Sequence, residues 1–172
     1  MPTALESIVR EQRAERDILL MTHIVLGYPS FEASVEIVDA MVEAGVDLIE
    51  LQIPFSEPIA DGPVILHANQ QALAAGSTVD RCFETARTLG ARHGIPLLFM
   101  SYYNIALQHG LEAFAKDTAA AGLRGAIVPD LPFEEGDELL DALAAHALDP
   151  IFIFSPNTTD ERMQAIAGRA RG

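Results

Sequence analysis

Short apolar runs alternate along the chain with amphipathic stretches. The runs are Leu19–Leu26, Leu48–Ile53, Leu97–Met100, Ala126–Val128 and Ile151–Phe154. Their lengths suit strands, and they are apolar on consecutive rather than alternate positions, as in a parallel sheet covered on both faces. Helical spacing joins Phe31, Val35, Val38 and Val42, with Ser30 as N-cap and Gly45 as the stop. A second helix carries Val79, Cys82, Phe83, Ala86 and Leu89 and ends near Gly94-Ile95-Pro96. A third carries Leu107, Leu111, Phe114 and Thr118 and ends at Gly122. Leu139, Leu140, Leu143 and Ala147 mark a fourth; Met163, Ile166 and Ala167 mark a fifth, capped by Thr159 or Asp160. A leading helix with Leu5, Ile8 and Val9 precedes the first strand.

The pattern predicts an α/β chain: one helix and then five βα units, in a single domain over residues 1–172. The units average about 31 residues, near the ~30-residue period of a βαβ repeat. Two architectures fit, an open doubly wound sheet or part of a (β/α)8 barrel. The first strand ends in Leu26-Gly27-Tyr28-Pro29 without a G-x-G-x-x-G turn, which favours the barrel.

An apolar fraction of 49% supplies material for a core. No apolar run reaches the ~18 residues of a membrane span, and the N-terminus does not read as a secretory signal. The single cysteine precludes an internal disulfide; a reduced, cytoplasmic setting fits. A net charge of −14 disfavours nucleic acid and anionic membranes as partners. An anionic substrate must then be held by local backbone N–H groups rather than by the overall field.

Either architecture collects functional groups at the C-terminal ends of its strands. The second such end, Glu50 to Gly62, is the richest in polar chemistry. Glu50 interrupts an apolar strand. It is either an acid–base group or a carboxylate paired with a nearby Lys or Arg. Asp61 lies within a loop shaped by Pro54, Pro58 and Pro63; it is either a second acid on the same rim or a turn residue before Gly62. Asp130, Tyr102 and Asn104 stand at other strand ends. The five histidines have no metal-ligand spacing, so no metal is expected, and only His23 lies inside a strand. Cys82 sits on an apolar helical face and reads as core.

The segments Leu26-Gly-Tyr-Pro29, Ala44-Gly-Val-Asp-Leu-Ile-Glu50, Ile53-Pro-Phe-Ser56, Ala60-Asp-Gly-Pro63, Val128-Pro-Asp-Leu-Pro132 and Pro156-Asn157, with Tyr102 and Asn104, resemble the tryptophan synthase α subunit family. The resemblance implies a TIM (β/α)8 barrel and a lyase of tryptophan biosynthesis. Its reaction is retro-aldol cleavage of indole-3-glycerol phosphate to indole and glyceraldehyde 3-phosphate. On that reading Glu50 is the general acid/base, and Asp61 holds the indole N–H and stabilises charge developing on the ring. Tyr102, His23 and Ile153 line the substrate pocket. Pro54, Ser56, Glu57, Asn104 and Asp130 belong to loops facing a β subunit in an α2β2 complex. The chain itself carries no cofactor, because pyridoxal phosphate belongs to the β partner. A rival reading is a non-catalytic α-like partner that modulates a β subunit.

Three positions depart from the family pattern. Gln52 stands where glycine is usual, Glu57 where aspartate is usual, and Pro129 where a smaller residue is common. The sequence also stops at Gly172, where a sixth strand is expected to begin. The expectation is therefore a truncated chain that lacks the phosphate-binding loops, binds substrate poorly and turns over little.

Overall fold

A computed structural model of the chain describes residues 4–170. Gly172, the position tied to a sixth strand, lies outside the described residues, as do Met1–Thr3 and Arg171. The described chain runs α1 (Ala4–Glu15), β1 (Met21–Val25), α2 (Phe31–Glu43), β2 (Leu48–Gln52), α3 (Pro63–Ala74), α4 (Val79–Arg92), β3 (Leu97–Met100), α5 (Tyr103–His109), α6 (Leu111–Ala120), β4 (Gly125–Ile127), α7 (Asp137–Ala145), β5 (Asp149–Ile151) and α8 (Asp160–Ala167).

All strand pairs are parallel, and the spatial order is β1-β2-β3-β4-β5. A doubly wound sheet reverses its order at a switch point. Strictly consecutive order with right-handed crossovers instead puts the connecting helices on one face, as in a barrel. Alternation along β2 then separates two environments. Ile49, Leu51 and Ile53 are fully buried and share a core with Val38, Phe83, Leu89 and Phe114 of the covering helices. Each such side chain contributes about 1.5–3 kcal/mol relative to exposure. Leu48, Glu50 and Gln52 point the other way, into the concave face. There Leu5 of α1 packs with Leu48, Leu98, Met100, Tyr102 and Ile127 in a second apolar cluster.

Helix ends follow local chemistry. The Ser30 hydroxyl accepts from the Ala33 N–H at 3.1 Å and starts α2. Thr78 and Thr159 cap α4 and α8 in the same way.

Three expectations need correction. The third predicted helix is two helices, α5 and α6, divided at Gly110 with φ +88°, a backbone state open to glycine but costly for other residues. The last strand is Asp149–Ile151, earlier than the predicted Ile151–Phe154, and Ile153 beyond it is 65% exposed. Helix α3 has no counterpart among the predicted elements. Its pattern is inverted: Val64 is 78% exposed while Asn69 is fully buried. That asparagine works as a brace. Its Nδ2 donates to the Ile65 carbonyl and its Oδ1 accepts from the Phe55 N–H, both at 2.9 Å, pinning the loop after β2 to α3.

Candidate active site

The register of β1 and β2 sets His23 beside Glu50, with Gln52 two residues further along the same face. The His23 Nδ1 lies 2.9 Å from Glu50 Oε2, and its Nε2 lies 2.8 Å from Gln52 Oε1. Gln52 Nε2 donates to Asp61 Oδ2 at 2.7 Å. From the next strand end, the Tyr102 hydroxyl donates to the same Asp61 oxygen at 3.1 Å and accepts from the Ala60 N–H at 3.0 Å. One continuous chain of hydrogen bonds therefore runs Glu50–His23–Gln52–Asp61–Tyr102 along the C-terminal rim. Each carboxylate is anchored through one oxygen. Among the described residues Glu50 Oε1 and Asp61 Oδ1 make no hydrogen bond.

The electrostatics follow from this packing. Burial works against a charged His23, but the hydrogen bond and charge of Glu50, the Gln52 amide and the charge of Asp61 outweigh it and raise its pKa above the ordinary value. Burial and the neighbouring Asp61 push the Tyr102 phenol up to about 12, so it remains a donor at neutral pH. Its ring stacks on Phe55 with centroids 5.0 Å apart.

The structure brings together four of the sequence-selected residues: Glu50, Asp61, His23 and Tyr102. Ile153 is not among them; it lies exposed past the end of β5. Asp130 has a local task, accepting from the Tyr103 N–H at 2.9 Å and so satisfying the first turn of α5. On the loop after β2, Pro54 is buried while Ser56 and Glu57 are exposed; Asn104 is exposed in the first turn of α5. None of these four joins the hydrogen-bonded chain. Sequence marks Gln52 only as a departure from the family pattern. It is fully buried and is the centre of the network. Its signal was present: a polar residue two positions after Glu50 on a buried strand shares that residue's face. Among the described residues no group of three or more His, Cys, Asp or Glu side chains could hold a metal ion, and no helix is long and apolar enough to cross a membrane.

A parallel sheet in strictly consecutive order, its strands joined by helices, defines a (β/α)-barrel chain. The sequence model of the tryptophan synthase alpha chain family matches residues 9–172. The chain belongs to that family. The alpha chain of Syntrophotalea carbinolica is 61% identical over 168 residues, a match that covers 98% of this chain. That of Methanosarcina mazei is 43% identical, with 94% of this chain covered and 59% of the relative. Among solved structures, tryptophan synthase from Mycobacterium tuberculosis superposes with a TM-score of 0.95 at 37% identity, covering all of this chain and 69% of that one. Tryptophan synthase subunit alpha from Legionella pneumophila superposes with a TM-score of 0.94 at 34% identity, covering all of this chain and 66% of that one. The chain spans 66% of the length of the S. carbinolica relative.

Proposed function

We propose that this chain carries the proton-handling part of a lyase site that cleaves indole-3-glycerol phosphate to indole and glyceraldehyde 3-phosphate. One observation carries the reading: Glu50 and Asp61 share one rim and are tied into a single network, each through one carboxylate oxygen. Retro-aldol cleavage needs a proton delivered to the indole ring carbon and a proton removed from the side-chain hydroxyl. Glu50 does both in turn. Asp61 accepts the indole N–H and balances the positive charge that forms on the ring. Family membership supports the assignment. The exposed part of the loop after β2, with Ser56, Glu57 and Ile59, is the surface offered to a tryptophan synthase β subunit in an α2β2 heterotetramer. Pyridoxal phosphate belongs to that partner, and the complex works in the cytoplasm.

The test is product release. The chain is assayed with indole-3-glycerol phosphate, alone and as a chimera joined to the part of the S. carbinolica relative outside the matched region. Equimolar indole and glyceraldehyde 3-phosphate from the folded chimera is the expected result. A folded chimera that binds a β subunit and releases no indole refutes the catalytic reading and favours a purely modulatory partner.

A further inference from the structure

The link between the two carboxylates has a direction. Ionised Asp61 only accepts hydrogen bonds, so the Gln52 amide must turn its NH2 toward it, at 2.7 Å. The amide oxygen then faces His23 Nε2 at 2.8 Å. That oxygen also only accepts, so Nε2 must carry a hydrogen. The other ring nitrogen, Nδ1, faces Glu50 Oε2 at 2.9 Å. A bare lone pair against a carboxylate oxygen repels, so the contact holds a proton. Register makes the arrangement rigid: His23 pairs with Glu50 across β1 and β2, and Gln52 is fully buried.

We infer that His23 and Gln52 are positioning residues, in which Gln52 locks the His23 ring with its hydrogen on Nε2 and the ring keeps on the Nδ1–Glu50 contact the one proton that the reaction lends and recovers. The second half of that statement rests on the lyase reading. The proton balance closes. The Nδ1–H bond breaks as an O–H bond forms on Glu50; that O–H bond breaks as a C–H bond forms at the indole ring carbon. The substrate hydroxyl then gives its proton to Glu50. Its electron pair forms the new carbonyl while the carbon–carbon pair neutralises the ring. Glu50 returns the proton to Nδ1, so no outside donor or acceptor is consumed. The titratable groups around His23 are Glu50 on β2 and Asp61 on the loop after it. Tyr102 lies behind Asp61 with Asp130 beyond it, and His67 of α3 and Tyr28 line the adjoining cleft.

The test reads the ring directly, by two-bond 1H–15N correlation spectra of the histidines in the intact chain over about pH 5–9, a range that brackets histidine titration. In wild type, His23 keeps hydrogen on Nε2 on both sides of its titration, with a midpoint above ~6.5. E50Q lowers that midpoint. Q52M keeps the side-chain shape without the acceptor, and the neutral ring becomes a mixture of tautomers. Backbone amide spectra establish that each variant is folded, and Q52L replaces Q52M if the latter is not. In the active chimera, Q52M lowers kcat about tenfold with KM unchanged, a small part of the ~10²–10⁴ of general acid–base catalysis. A neutral wild-type ring with its hydrogen on Nδ1, or a folded Q52M and Q52L whose ring spectra match wild type, overturns the proposal. The spectra need no turnover, so failure of the bridge and failure of the lyase reading appear in different experiments.

Discussion

Tyr102→Phe removes one oxygen and leaves the ring. The ring still stacks on Phe55 at 5.0 Å and fills the same inner cluster with Leu5, Leu48 and Leu98. Two hydrogen bonds are lost: the 3.1 Å bond donated to Asp61 and the 3.0 Å bond accepted from Ala60. A hydrogen bond to a charged group contributes about 1.5–3 kcal/mol, and a neutral one about 0.5–1.5. Asp61 is half-buried and Ala60 exposed, so water replaces part of each and the lower halves apply. The expected loss is about 2–3 kcal/mol. With a urea m-value of about 2 kcal/mol per molar, the unfolding midpoint falls by about 1–1.5 M. Because the hydroxyl is what ties the Ala60 segment to α5, the Ala60 amide also exchanges hydrogen faster than in wild type. An unchanged midpoint with unchanged Ala60 exchange refutes the claim that this hydroxyl clamps the loop. A loss beyond about 5 kcal/mol also counts against it, since losses of that size signal disrupted packing.

Two further outcomes follow from the same geometry. Because the folded-state pKa of His23 is raised, its contribution to stability is complete below the unfolded value of ~6.5 and disappears as pH rises through the folded value. The difference in urea midpoint between wild type and His23→Phe should therefore shrink across that window; a difference that is flat in pH contradicts the ion-pair reading. At Gly90 of α4, an added Cβ meets the Ala121 carbonyl oxygen at 2.1 Å, a backbone atom that cannot swing aside. Gly90→Ala should cost about 1–3 kcal/mol through overpacking, read by calorimetry as a Tm lower by ~2–4 °C per kcal/mol. An unchanged Tm would show that α4 and the turn after α6 are not in rigid contact.

The strands were legible because a parallel sheet covered on both faces demands apolar runs, unbroken at Leu97–Met100 and interrupted only by Glu50 and Gln52 at Leu48–Ile53. Helix α3 was not, since its buried positions are Ala68, Asn69 and Ala72 while Val64 faces solvent, so no apolar stripe marks it. Gly110 was invisible as a break because the apolar spacing of Leu107, Leu111 and Phe114 continues across it. In the site, Glu50 announced itself as a charge inside an apolar strand, and Asp61 by the proline-shaped loop around it. Gln52 was missed because its value lies in pairing: only the β1–β2 register shows that its amide spans from His23 to Asp61. The apolar run Ile151–Phe154 misled in the other direction, since β5 ends at Ile151 and Ile153 is left in solvent.

The central claim is that Glu50 moves the protons of the cleavage step, and indole release by Glu50→Gln in the chimera tests it most directly. Glutamine keeps the shape and a hydrogen-bonding oxygen beside His23 but cannot shuttle a proton. The account predicts a fall in kcat of about 10²–10⁴-fold, the usual worth of general acid–base catalysis, with the protein still folded and still bound to its β partner. Release at the wild-type rate would contradict it.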